Sequence, residues 1–267
     1  MMIKVSIMGV AGRMGNSIFH LLNAEKDIQI VGATEIENHP SIGSDVGNVC
    51  GEGEIGVPVT NGIEESSTDA DVIVDFTAPS STLANARFAS AHGKSMVIGT
   101  TGFTEEEKEE LKKLSTSFPC VFSPNMSIGV NVMFEATKKI AEVLGDEFDV
   151  EIIEAHHKHK VDAPSGTALR LGEAAAEGLN RDFNSVVRFE RHGAIGERGE
   201  KEIGMQTIRA GDIVGEHTVM FCGAGERIEL THRALSRDNF AKGVVRAVKW
   251  ISGKPAGMYT MKEVLGI

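Results

Sequence analysis

Basic residues are scarce in this chain of 267 residues, with 27 Lys and Arg against 38 Asp and Glu and a net charge of −11. A nucleic-acid binder normally carries a basic excess or a basic tail. Neither is present, so the chain is expected to meet small molecules and no nucleic acid; if those molecules are anions, local cations must overcome the mean field. Cysteine is scarcer still. Cys50, Cys120 and Cys222 lie far apart, are odd in number and form no CxxC, which argues against a disulfide framework and against a thiolate zinc site. No apolar run approaches the ~18 residues of a membrane span. The opening MMIKVSIMGVAG enters an alternating apolar run without the architecture of a signal peptide. These absences predict a soluble, cytoplasmic protein with reduced, structural thiols and no membrane partner. Internal repeats and low-complexity linkers are also missing.

What is present suffices for a conventional core, since 41% of the residues are hydrophobic. At ~100–200 residues per domain, the length suits one large domain or two modest ones. In the first half, short β-branched runs alternate with helical patterns. IKVSIM stops at Gly9, IQIVGATE covers 28–35, DVIVDFT 71–77, SMVIGTT 95–101 and CVFSPN 120–125. Between them, NSIFHLLNAEK, SSTLANARFASAHG and TEEEKEELKKLSTS have helical spacing, capping residues or a charge order that suits the helix dipole. Strands separated by helices predict βαβ units and a parallel sheet. Past residue 127 the pattern changes. A helix over SIGVNVMFEATKKIAEVLG leads to FDVEIIEAHH, which alternates like a strand, and then to SGTALRLGEAAAEGL, a helix. EHTVMFC and ERIELTHRA flank Gly-Ala-Gly as a hairpin does, so this half predicts a mixed or antiparallel sheet.

MGVAGRMG, residues 8–15, follows the first strand and opens the first helix, with glycines at 9, 12 and 15. It is a variant of G-x-G-x-x-G. Gly9 permits the turn, Gly12 lets a pyrophosphate approach the backbone, and Gly15 lets helix and strand pack closely. A tight turn needs glycine for steric reasons too, but a ribose-binding acid is expected about 20 residues further on. Glu35 stands there, at the end of the second strand. The pair predicts dinucleotide binding. GTTG at 99–102 and SPN at 123–125 end later strands, where open α/β sheets bind ligands, although ordinary loops sit there as well.

The segment 154–168, EAHHKHKVDAPSGTA, concentrates protonatable groups in an acidic chain. Three histidines suit zinc, but in an extended strand His157 and His159 face one way and His156 the other, while Lys158 and Lys160 repel a cation. A merely solvated basic strand end is a second reading. The third is an anionic-substrate site. His156 and Lys160 share parity, and a bend near the strand end brings them together; a histidine serves as general acid or base near neutral pH. Ser165 suits an N-cap. The amides of Gly166 and Thr167, with the hydroxyls of Ser165 and Thr167, then form a carboxylate cradle. Cations converging on a helix N-terminus point to a substrate with two carboxylates.

VAGRMG, DFTAPSSTLANA, VIGTTGF, SPNMSIGVNVMF, EIIEAHHKHKVDAPSGTAL, IRAGDIVGEHTVMF and ELTHRALSRDNFAKGVVR together resemble the 4-hydroxy-tetrahydrodipicolinate reductases of the diaminopimelate route to lysine. The resemblance runs from residue 3 to the tail. It implies an α/β fold: a Rossmann-like dinucleotide-binding domain over 1–127, completed by 238–267, and an α+β substrate and oligomerisation domain with a mixed sheet over 128–237. It further implies a homotetramer, a cyclic dicarboxylate substrate, reduction by NADH or NADPH, and no metal. His156 is then the catalytic proton donor or acceptor and Lys160 the second donor. His157, Ser165, Gly166 and Thr167 hold the substrate carboxylates. The cofactor touches Gly9, Val10, Ala11, Gly12, Arg13 and Met14, then Glu35, then Gly99, Thr100 and Thr101, and finally Ser123, Pro124, Asn125 and Met126.

Two positions depart from relatives that favour NADPH, which often carry arginine after the ribose-binding acid and in the D-F-T-x-P loop. Here Ile36 and Ala78 stand at those places. Glu35 repels a 2′-phosphate and accepts hydrogen bonds from ribose hydroxyls, so NADH is the expected preference. Arg13 leaves NADPH as a second cofactor. A dehydrogenase of amino-dicarboxylates would share the first half but has no need of HHKHK…PSGT. A non-catalytic NADH sensor would need a DNA-binding module with a basic face, which this sequence does not supply.

Overall fold

The structure, a computed structural model, describes residues 2–236 and 238–267. The chain divides into two compact units, Met1–Ile128 with Arg237–Ile267, and Gly129–Ser236. The first begins with β1 (Ile3–Met8), α1 (Arg13–Asn23), β2 (Ile28–Thr34), α2 (Val46–Cys50), β3 (Val59–Thr60) and α3 (Ile63–Ser67). It continues through β4 (Val72–Asp75), α4 (Pro79–His92), β5 (Ser95–Ile98), α5 (Glu105–Leu114) and β6 (Pro119–Phe122). Next come α6 (Ile128–Leu144), β7 (Asp149–His156), α7 (Gly166–Gly178), α8 (Phe183–Val186), β8 (Val187–Arg188), β9 (Ile203–Arg209), β10 (Gly215–Gly223) and β11 (Glu226–Ala234). The chain then returns to the first unit with α9 (Asp238–Ile251), β12 (Gly257–Tyr259) and α10 (Met261–Leu265).

The first unit holds a seven-stranded parallel sheet in the order β12-β6-β5-β4-β1-β2-β3. Its strands are buried on both faces, so successive residues enter different cores. Val5, Ile7, Val72, Val74 and Val97 pack with Ile18, Phe19 and Leu22 of α1 and Val244, Val248 and Ile251 of α9. Met8, Ile73, Met96 and Ile98 pack on the opposite side with Phe88, Leu111 and Phe118. Each such side chain contributes about 1.5–3 kcal/mol on burial. The order reverses direction beside β1, whose neighbours are β2 and β4, and the carboxyl ends of the strands at such a reversal are where open α/β sheets bind ligands.

The caps follow the sequence. Thr104 accepts the Glu107 N–H while the Glu107 carboxylate accepts the Thr104 N–H, and Lys112 and Lys113 close α5 at its negative dipole end. Between β2 and β4, α2, β3 and α3 are only 5, 2 and 5 residues long, too short for periodicity to reveal. Asp45 organises that region by accepting N–H bonds from Gly47, Asn48, Ile55, Gly56 and Val57.

The second unit holds a five-stranded mixed sheet in the order β11-β10-β7-β9-β8. β10 pairs antiparallel with β7 and β11, whereas β9 runs parallel to β7 and β8. Met133 and Ala141 of α6 and Ala168, Leu171 and Ala175 of α7 pack with Val150, Ile152, Val219 and Phe221. The hairpin of β10 and β11 turns through Ala224 and Gly225, the latter at φ 86°. β9 was not legible in the sequence because its period changes partway. Ile203 and Met205 are buried, but Thr207 and Arg209 continue the same face and Ile208, on the other, is exposed.

Candidate active site

In the first unit, the turn after β1 is tightly constrained. Gly9 has φ 67°, and the Gly12 N–H donates to the Gly9 carbonyl at 3.1 Å. A Cβ on Gly15 would lie 2.2 Å from that same carbonyl oxygen, so only glycine lets α1 cross the turn so closely. Among the described residues no side chain caps α1, and no acid stands in its first turn. Its free N–H groups and positive dipole end therefore suit a pyrophosphate, and the turn fits a dinucleotide. Val10 is buried in the core; Gly12 and Arg13 are exposed. Glu35 follows β2 and lies across the turn, with Oε1 accepting the Ala11 N–H at 2.7 Å. Ile36 is 74% exposed beside it, and Ala78 is exposed at the start of α4.

The later loops end neighbouring strands. Gly99 admits the Phe76 ring, which a Cβ would meet at 1.9 Å. Thr100 is turned inward, its hydroxyl 2.8 Å from that of Thr82 and within a cluster around buried Asp75, which also accepts from Thr77 and Asn85. Thr101 is exposed. The Ser123 hydroxyl donates to the Asn125 carbonyl at 2.8 Å, Asn125 Oδ1 accepts the Ser127 N–H at 2.9 Å, and Pro124 is exposed. The Met126 side chain is in the core, and α9 rests on its carbonyl at Gly243, where a Cβ would come within 1.7 Å. The side chains of Val10, Thr100, Ser123 and Met126 are thus committed to the fold, and the N–H groups of Val10 and Ser123 are bonded to the Thr34 and Ile98 carbonyls.

In the second unit, register places the chemistry. The row Phe221, Val150 and Ile203 crosses β10, β7 and β9, and so does the row Val219, Ile152 and Met205; both are buried and apolar. The next row is polar: His232 of β11, His217, Glu154 and Thr207. One residue pair further on, His156 lies opposite Arg209, with Gly215 on its other side. The face changes from core to site within a single two-residue step.

Glu154 is fully buried and is the hub of that step. Its Oε2 accepts from His156 Nδ1 at 2.6 Å, and its two oxygens accept from Arg209 at 2.8 Å each. Oε1 also accepts the Ser165 N–H at 3.0 Å. Burial alone would raise its pKa, but the hydrogen bonds from His156 and Arg209 overcome that and hold it at about 2. His217 responds in the opposite way. Burial, reinforced by the positive field of His156, pushes it down to about 3, so it stays neutral. Its ring meets the His156 ring edge-on at 5.2 Å, and its Nε2 lies 3.0 Å from Ser165 Oγ. Ser165 Oγ also accepts the Ala168 N–H at 3.2 Å, as an N-cap does.

The strand ends at His156, and the bend expected near its end follows directly. The Lys160 N–H donates to the His157 carbonyl at 3.1 Å in a turn. Lys160 Nζ pairs with Asp162 at 2.8 Å, and both His156 and Lys160 act electrostatically on His217. The His157 ring lies 6.3 Å from that of His159. Gly166 is exposed, with open space where a Cβ would be, and Thr167 is half-buried in the first turn of α7. Among the described residues no three His, Cys, Asp or Glu side chains form a group able to hold a metal. Sequence reasoning missed Glu154, Arg209 and His217. Glu154 carried a signal, since it precedes His156 by two residues and shares its face.

Two family models cover almost the whole chain: "Dihydrodipicolinate reductase, N-terminus" matches residues 3–126, and "Dihydrodipicolinate reductase, C-terminus" matches 129–265. A 4-hydroxy-tetrahydrodipicolinate reductase of Desulfotalea psychrophila is 53% identical over 266 residues, covering 100% of this chain and 99% of its own. One of Geotalea daltonii is 50% identical, covering 100% of both. Among solved structures, the dipicolinate-bound dihydrodipicolinate reductase from Paenisporosarcina sp. TG-14 is 26% identical with a TM-score of 0.76, covering 98% of this chain and 99% of that one.

Proposed function

This chain belongs to the dihydrodipicolinate reductase family, and from that premise we propose how its own residues carry the reaction. The chain is an oxidoreductase of the diaminopimelate route to lysine. It reduces 4-hydroxy-2,3,4,5-tetrahydrodipicolinate to 2,3,4,5-tetrahydrodipicolinate with a pyridine nucleotide as reductant. The first unit is the dinucleotide-binding domain, and the second binds the substrate and assembles the oligomer.

One observation carries the assignment of roles: His217 lies against His156 and bonds Ser165, so a protonatable cluster adjoins the amide-rich start of a helix. Loss of the 4-hydroxyl as water, with a hydrogen from the adjacent carbon, turns 4-hydroxy-tetrahydrodipicolinate into a conjugated C=C–C=N acceptor, to which the reduced nicotinamide, when bound, would supply a hydride. The electron-rich enamine that results must be protonated. His156 donates that proton and Lys160 is the second donor; a positioned acid contributes about 10²–10⁴-fold. His157, Ser165, Gly166 and Thr167 hold the two carboxylates, aided by the α7 dipole.

Gly9 to Met14 receive the pyrophosphate and Glu35 the ribose. Gly99 to Thr101 and Ser123 to Met126 line the remainder of the cofactor path. NADH is preferred because the carboxylate of Glu35 opposes a 2′-phosphate and Ile36 and Ala78 offer no compensating charge. Arg13, exposed in the same turn, permits some use of NADPH. The protein assembles as a homotetramer. It works in the cytoplasm; among the described residues no helix is long and apolar enough to cross a membrane.

The test is NADH oxidation followed by absorbance after addition of freshly generated 4-hydroxy-tetrahydrodipicolinate. Substrate-dependent oxidation is expected. NADH binding without turnover would overturn the assignment.

A further inference from the structure

We infer that Glu154 is a positioning residue that fixes the tautomer of His156 and, through Ser165, holds the start of α7 in register with it. The inference rests on the proposed role of His156 as proton donor.

A carboxylate cannot donate, so the 2.6 Å contact between Glu154 Oε2 and His156 Nδ1 makes Nδ1 the donor. That leaves Nε2 as the nitrogen that takes up and releases the catalytic proton. Free neutral imidazole favours the opposite tautomer, with the proton on Nε2, so the preference here is imposed by Glu154. Gly215 borders that nitrogen: a Cβ on it would lie 3.0 Å from Nε2. Arg209 grips both oxygens of Glu154 and also donates to the Asp162 carbonyl at 2.6 Å, which keeps the carboxylate ionised and oriented.

The same carboxylate reaches across 11 residues to the backbone of Ser165. Proton donor and carboxylate cradle therefore hang from one anion. Glu154 faces the imidazole from its own strand, Arg209, bonded to Glu154, lies opposite it on β9, and neutral His217 meets it from β10; Lys160, paired with Asp162 in the following turn, acts on His217. Removing the Glu154 charge removes the one anion in direct contact with the ring, so the imidazolium becomes harder to form.

The native protein provides the first test. With histidines labelled with nitrogen-15, NMR at a pH where His156 is neutral is expected to show its proton on Nδ1. A proton on Nε2 would overturn the inference. Kinetics provide the second. Glu154→Gln is expected to lower kcat about tenfold or more, since orientation of an acid–base histidine is a large part of its effect. The alkaline limb of its pH profile should move to lower pH, its KM for substrate should rise, and its KM for NADH should not change.

Glu154→Gln leaves the half-buried Arg209 without its carboxylate partner, so Glu154→Gln/Arg209→Met serves as the companion that removes both charges together. That variant is expected to melt near the native temperature and to remain slow. Native kcat and an unshifted pH profile in it would assign Glu154 to folding alone and overturn the inference. His156→Gln, measured alongside, separates the two claims. If it keeps native kcat, the proton-donor assignment fails first. If it is slow while both Glu154 variants are fast, only the positioning role fails.

Discussion

Glu154 and His156 stand two residues apart on one strand, and their side chains meet at 2.6 Å with the carboxylate fully buried. The strand's period of two aims both at the face whose next two rows are hydrophobic core. A buried anion there is tolerable only because Arg209, His156 and Ser165 all donate to it. The site is therefore continuous with the fold, and its protonation states register in stability as well as in rate.

His217 provides the pH test of that link. Its pKa, about 3 in the folded protein against an ordinary 6.5, means that in this window the unfolded chain binds a proton the folded one does not. Stability must therefore fall as pH drops below 6.5. One whole proton of difference contributes about 1.4 kcal/mol per pH unit. The depressed Glu154 carboxyl adds its own loss only between pH 4.5 and about 2. Denaturant titrations between pH 4.5 and 6.5 should show a shallower slope in His217→Gln than in the native protein. Parallel curves would contradict the neutral, buried assignment.

Thr167→Val keeps the shape of the α7 start and removes one hydroxyl. Loss of a hydrogen bond to a charged group costs about 1.5–3 kcal/mol, so KM for the substrate should rise about tenfold or more. Pyridine-2,6-dicarboxylate should inhibit the native enzyme competitively and the variant less strongly. An unchanged KM together with no inhibition would remove the cradle from the account.

Cofactor choice turns on Glu35 and Ile36. The native enzyme should show a higher kcat/KM with NADH than with NADPH, by about tenfold to a hundredfold, the worth of one charge-assisted contact. Ile36→Arg places a cation beside the 2′-phosphate and should raise kcat/KM for NADPH. A native preference for NADPH, or no gain in the variant, would show that the pocket is governed by other groups.

Much of this was legible in the sequence where local chemistry and periodicity agree. The parallel sheet was written in β-branched runs such as VIVD and SMVI, and the tight turn after β1 in Gly9, Gly12 and Gly15. HHKHK and the Ser165 cap pointed to the candidate substrate site of the second unit. What remained hidden was whatever depended on strands meeting across the sheet. Arg209 lies 55 residues from Glu154 in the chain and joins it only because β9 pairs with β7. β9 was itself obscured because its inward residues turn polar at Thr207. The turn after His156 matches the bend expected near the strand end and carries Lys160 to Asp162, so the facing of residues 157–160 in an extended strand does not apply.

The central claim is that His156, with Lys160, protonates the reduced substrate. Its most direct test is kcat for substrate-dependent NADH oxidation by His156→Gln and Lys160→Met, with NADH affinity and melting temperature measured on the same preparations. A loss of about tenfold to a hundredfold or more in each, at native cofactor affinity and stability, is the predicted result. Near-native turnover in both variants would contradict the claim.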